Sequence, residues 1–512
     1  MTFFESLLAL LFAAILLLQV SRRLSLPYPA MLAAAGVVLA LIPGTPEIKL
    51  DPQTALALFI APALVDAAYD FPVGAVRRLW RPLFALAVVA VLLTAGAVAW
   101  VGVAFAGLPL YAALALGAVV APPDAAAATA VLANVNMPRR SVALLKGESL
   151  LNDAMALLLF SAAVAIQAHG GIDGAIGLQL GLAAPGGILL GIVLARLYAL
   201  VARFVSNTLG GNLLEFVIAF GTWFVAAHLG LSPVLCLVAF AMTIARAAGT
   251  ERGPRMRVHS FAVWDSVVFL LNVLAFLLMG LQARTIVGAM APARLYDALG
   301  FGGLVIVVVI AVRLAWVLIY NRLSFRFASL RSGAKPASVR SGILVGWCGM
   351  RGLVTLATAF ALPSDFPQRD LIVLTAFAVV LATLVLQGLT LGPLIRLLGL
   401  DGDDGLDREL DTIRGELAEV ALATIGDRQG PVADYLRFGY RLALRTAQPG
   451  HSGAHEQKRR LSLDAIASQR ERLEALRNRG DVGADAYIVL QEELDFRELA
   501  IATEDERHIE ES

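Results

Sequence analysis

The chain is 512 residues long, 58% hydrophobic and only 16% charged, with a mean hydropathy of +0.76. A soluble globular protein does not reach that balance, so the chain reads as an integral membrane protein. A formal net charge of +1, with no basic stripe carrying interleaved aromatics, argues against nucleic acid as a partner.

Residues 3–19 are apolar but carry Glu5 and lack both a basic leader and a clear cleavage site, so they read as a first span and not a removed signal. Apolar runs follow at roughly 28–43, 53–69, 82–106, 108–133, 148–168, 174–204, 213–229, 232–248, 260–283, 299–320, 338–362 and 369–399. With the first run they make about thirteen candidate membrane helices, the shorter ones tilted or broken. Alternate connections carry most of the cations, among them Arg22 and Arg23, Arg77, Arg78 and Arg81, Arg139 and Arg140, and Arg252, Arg255 and Arg257. Cation-rich connections belong on the cytoplasmic side, which predicts an external N-terminus and a cytoplasmic C-terminus. Cys236 and Cys348 fall in separate apolar runs and read as packing residues.

The stretch from Gly117 to Leu158 holds Asp124, Glu148 and Asp153 within otherwise apolar sequence. An ionisable group at membrane depth costs roughly 2.5 to 3.5 kcal/mol on insertion scales, so each of these carboxylates is a functional candidate. Pro122 and Pro123 remove backbone donors and break the helix that carries Asp124. Broken helices survive in lipid only where they are buried in protein or line a wet cavity, which suits a cation site. Ser149 and Asp153, like Glu148 and Asn152, stand four apart and share helical ridges. With no His or Cys cluster nearby, the oxygen-rich set favours alkali or alkaline-earth cations.

Four segments in order carry a resemblance: Pro62-Ala63-Leu64-Val65-Asp66, Pro123-Asp124, Gly147-Glu148-Ser149-Leu150-Leu151-Asn152-Asp153 and Gly349-Met350-Arg351-Gly352. Over residues 1–400 the chain resembles the sodium/proton exchanger family, in its bacterial electroneutral branch. That resemblance implies an all-α membrane fold with inverted repeats and two broken, crossing helices, the second at Gly346, Gly349 and Gly352. It implies a homodimer that needs no cofactor beyond its transported Na+ (or K+ or Li+) and H+, located in the cell's inner membrane. Asp124 and Asp153 are the expected Na+ ligands, joined by Ser149, Asp66 and the Pro123 carbonyl, which stands in for a threonine hydroxyl common at that place. Asn152 is expected to hold the broken helix, and Glu148 to pair with Arg351 as a structural brace. Glu215, Asp265 and Arg313 match no motif.

Two other functions compete. Two aspartates on neighbouring membrane helices also suit an intramembrane aspartyl protease, but the Gly-x-Gly-Asp signature is missing at both. A passive channel fits poorly with a carboxylate-rich site that binds tightly.

From about Leu400 the composition changes. Asp401-Gly402-Asp403-Asp404 opens a charged tail with helical patterns at roughly 407–424, 432–447, 457–479 and 484–505, separated by glycine and proline. Residues 401–512 are therefore expected to form a cytoplasmic helical tail, either a simple bundle or coiled contact at a dimer or a regulatory module.

Overall fold

The computed structural model describes residues 3–24, 28–40, 52–71, 73–124, 139–171, 174–205, 208–251, 254–331, 338–400, 405–446, 452–479 and 481–502. Every regular element among them is helical. Residues 125–138, the end of the expected 108–133 run, and the acidic opening of the tail at 401–404 lie outside the described residues.

The first unit, residues 1–402, contains α1 (Phe3–Leu24), α2 (Tyr28–Ala40), α3 (Pro52–Asp70), α4 (Val73–Phe84), a π turn (Ala85–Val89), α5 (Ala90–Ala106) and α6 (Leu110–Val120). It continues with α7 (Arg139–His169), α8 (Gly174–Val205), α9 (Leu209–His228), α10 (Pro233–Glu251), α11 (Pro254–Ala289), α12 (Pro292–Arg326), α13 (Val339–Trp347), α14 (Leu353–Phe360) and α15 (Arg369–Leu398). Seven stretches of described helix are long and apolar enough to cross a bilayer: Val76–Ala106, Ser141–His169, Gly177–Ala202, Gly210–His228, His259–Leu278, Pro292–Arg326 and Arg369–Leu398. Shorter apolar helices, such as Leu110–Val120 and Pro233–Arg246, fill the interior between them.

Two runs that look continuous in hydropathy are interrupted in the structure. Pro122 and Pro123 have no amide to extend α6, which ends at Val120. The 338–362 run divides into α13, capped by the Ser338 hydroxyl accepting the Ser341 amide at 3.1 Å, and α14, with residues 348–352 non-helical between them. The Ala85 carbonyl accepts the Ala90 amide within the π turn and also the Trp316 indole N–H of α12 at 2.8 Å, and the same turn packs against α7.

Close packing between these helices depends on small residues, as it does wherever lipid leaves no hydrophobic drive for association. α2 lies along α11, with Gly36 against Gly280: a Cβ added at Gly280 would come within 2.7 Å of the Gly36 Cα. Backbone cannot yield there as a flexible side chain would. Gly280→Ala is therefore expected to destabilise by about 1 to 3 kcal/mol through overpacking. Gly303→Ala on α12, where an added Cβ meets open space, is the control that should melt at or above wild type. Equal melting temperatures for the two variants in detergent would show that α2 and α11 do not depend on this contact.

The second unit, residues 403–511, holds α16 (Gly405–Ile425), α17 (Pro431–Thr446), α18 (Ser452–Asn478) and α19 (Ala484–Ile501). These four match the glycine- and proline-punctuated pattern of the sequence to within a few residues. α16 packs against α17 and α18 against α19. The second pair encloses a small core of Ile466, Leu473, Tyr487 and Leu494, and Arg470 closes it with an ion pair to Asp495 at 2.8 Å.

Candidate functional site

The site is built where the two interrupted segments meet. The Asp124 amide donates to the Met350 carbonyl at 2.7 Å, and the Leu353 amide donates to Asp124 Oδ2 at 3.1 Å. The carboxylate of the first break thus caps the N-terminus of α14, where unpaired amides and the helix dipole favour negative charge. The reciprocal contact comes from Arg351, which is fully buried. Its Nε donates to the Val120 carbonyl at 3.1 Å and its Nη2 to the Ala121 carbonyl at 3.3 Å, while Nη1 donates to the Gly349 carbonyl. The Val120 and Ala121 carbonyls, where α6 ends and the Asp124 amide turns away to Met350, are satisfied by a cation at the negative end of the helix. Each broken end so receives the sign of charge its dipole prefers. Gly352 is required at the crossing, because a Cβ there would collide with the Asp124 carboxylate.

The expected pairing of Glu148 with Arg351 is not what the structure contains. Glu148 forms a bidentate ion pair with Arg313 of α12, with Nη1 to Oε1 at 2.5 Å and Nη2 to Oε2 at 3.0 Å. Both side chains are at least 98% buried, with exposures of 2% and 1%. Arg313 Nη2 also donates to the Val345 carbonyl at 3.2 Å, which ties α13 to the pair. Arg351 is instead solvated by carbonyl dipoles and keeps its charge, with Glu148 within electrostatic reach. Arg313 is the residue of this candidate site that no motif marks. The signal was available: a lone arginine inside a long apolar helix requires a buried counter-charge as surely as the aspartates do.

Asp153, 5% exposed, lies on α7 and interacts electrostatically with Asp124. Next to it, Asn152 Nδ2 donates to the Pro123 carbonyl at 2.7 Å, so this asparagine holds the first break to α7. The same bond occupies one lone pair of the carbonyl expected to face the cation and leaves the second for a ligand. Ser149 sits one turn before Asp153 and is half-buried.

Asp66 is half-buried on α3, which packs against both α14 and α7. Its side chain lines a cavity of about 50 Å³ with Glu215 and the aromatic rings of Tyr69, Tyr198 and Trp264. Asp124 and Asp153 are not among the described residues in that wall, and the packing of α3 on α14 and α7 brings Asp66 to the neighbourhood of the crossing. Glu215 accepts hydrogen bonds there from Ser260 at 2.8 Å and Trp264 at 2.9 Å.

Two broken helices that cross inside a helical membrane unit, with the buried Asp153 and the half-buried Asp124 at the crossing, define a secondary transporter of cations. The chain belongs to the sodium/hydrogen exchanger family, whose transmembrane model matches residues 7–397. It is 28% identical to the sodium, potassium, lithium and rubidium/H+ antiporter of Bacillus pumilus (strain SAFR-032), across 93% of this chain and 74% of that one. It is also 28% identical to an uncharacterized Na+/H+ exchanger of Escherichia coli (strain K12), across 94% of this chain and 95% of the relative. The sodium proton antiporter MjNhaP1 of Methanocaldococcus jannaschii shares the fold with a TM-score of 0.61 at 18% identity, covering 78% of this chain and all of that one. These matches are to transporters and not to enzymes, and they support neither the protease nor the channel reading.

Proposed function

We propose that this antiporter exchanges Na+ for H+ by alternating access at Asp153 and Asp124, with Ser149, Asp66 and the Pro123 carbonyl as further oxygen ligands. Asn152, Glu148, Arg313 and Arg351 hold the frame. The observation that carries this reading is the charge balance around the crossing. Two buried guanidiniums, Arg313 and Arg351, face three carboxylates, Glu148, Asp124 and Asp153. The cluster is one positive charge short of neutral. Buried charge is tolerated only when compensated, so one monovalent cation or one proton completes the site, and each excludes the other. K+ and Li+ are alternative cargoes, since the named Bacillus relative carries them. No step of this cycle calls on a cofactor.

We further propose a homodimer in the inner membrane, with an external N-terminus and residues 401–512 as a cytoplasmic tail; the arginine distribution supports the orientation. Because Asn152 cannot take up a proton in the accessible pH range, Asp153 alone trades its load and the net charge moved is zero. In proteoliposomes an imposed Na+ gradient should drive proton movement that a potassium/valinomycin potential leaves unchanged. A steady current on supported membranes that reverses with voltage would refute the one-for-one stoichiometry. Absence of any Na+-driven proton movement would refute the exchange itself.

A further inference from the structure

Among the apolar side chains that the tail unit leaves exposed, those of α16 form a narrow stripe. On α16, Leu410, Ile413, Leu417 and Val420 recur at spacings of three, four and three, which is the alternation of the two seam positions of a heptad. Ile413, Leu417 and Val420 are 44%, 64% and 65% exposed. A separate face of the same helix carries the buried Ala418 and the partly buried Ala421, Leu422 and Ile425, and α16 packs against α17. The stripe is therefore additional to the contact that builds the unit.

We propose that this stripe pairs with the same residues of a second copy of the chain as a parallel, in-register coiled coil. Three observations select that occupant. A stripe of two positions in seven has the width one helix covers and is narrower than the face a helix lays on a bilayer. Glu409 and Glu416 flank it, which opposes an anionic lipid surface. A parallel seam sets Glu409 of one copy, at a g position, opposite the e-position residue Arg414 of the other, whereas an antiparallel seam would set the g-position glutamates Glu409 and Glu416 against each other.

The pairing rests on the homodimer reading above, and the test separates the two. Single cysteines are introduced into the full chain at the seam, Leu417→Cys and Val420→Cys, and beside it, Glu419→Cys. Each variant is oxidised with copper phenanthroline in native membranes, with the wild type, whose two cysteines are buried, as background. The expected result is covalent dimer at 417 and 420 at least fivefold above 419. Equal yields at all three positions, no dimer, an adduct heavier than a dimer, or protection of 417 from a water-soluble maleimide without cross-linking would each overturn the seam. Light scattering of the same purified variants then decides the rest: a dimeric mass with no seam cross-link rejects the coiled coil alone, and a monomeric mass rejects the homodimer as well.

Discussion

Replacing Asp153 with asparagine is expected to reduce Na+-driven proton movement in proteoliposomes to the rate of protein-free vesicles, while the purified variant stays folded and monodisperse. Asparagine preserves the shape of the side chain and can still bond to neighbouring groups, but it removes the one group that trades a proton for a cation. The charge balance at the crossing makes the sign of the pH response explicit. Protonated Asp153 already satisfies the missing positive charge, so the apparent KM for Na+ should rise as pH falls and in proportion to proton concentration on the acid side. Asp124→Asn is expected to abolish exchange by a different route. It removes the negative charge to which the Leu353 amide donates at the start of α14, and with it one oxygen ligand. Cation-dependent proton flux persisting in Asp153→Asn would remove that residue from the exchange step. A KM for Na+ independent of pH would remove the competition.

Breaking the Glu148–Arg313 pair should produce the largest loss of stability. Removing one member of a buried pair strands the other charge, at a cost of about 3 to 5 kcal/mol. Glu148→Met and Arg313→Met should each lower the melting temperature in detergent, whereas the double variant, which buries no charge at either position, should recover much of the loss. Arg351→Met combined with Glu148→Met should show no such recovery, because the partners of Arg351 are carbonyls of Val120, Ala121 and Gly349. Additive losses in the Glu148/Arg313 double variant would mean that the two side chains do not act as a pair.

The sequence carried the parts of the site that follow from local chemistry. A prolyl break, an aspartate at membrane depth and an asparagine one helical position from another aspartate each impose a constraint within a few residues, and Asp124, Asn152 and Asp153 were legible for that reason. The interruption at Gly349, Met350, Arg351 and Gly352 was legible from its glycines, although hydropathy alone passes over it. The choice of Arg313 over Arg351 as the partner of Glu148 was not. Two helices and the non-helical break at 348–352 bring a carboxylate near two guanidiniums, and which one it meets is decided by how α12 crosses α7, a matter of topology across 165 residues that periodicity does not encode. The neighbourhood of Asp66 is similar: its helix was recognisable, but its shared cavity with Glu215 depends on the packing of α3 with elements far along the chain.

The π turn at Ala85–Val89 sets a spatial phase as well as a contact. One residue more than an α-helical turn needs is accommodated there, and the surplus rotates everything before it relative to everything after it. The arginines at 77, 78 and 81 thus point in directions that a straight helix of the same composition would not give them. Trp316 holds the turn in place through the Ala85 carbonyl from a position three residues beyond Arg313, on the same side of α12. A change in the number of residues within 85–89 is therefore expected to move the Ala85 carbonyl away from Trp316, one helical turn from the buried Arg313, where a change of one apolar side chain for another would not.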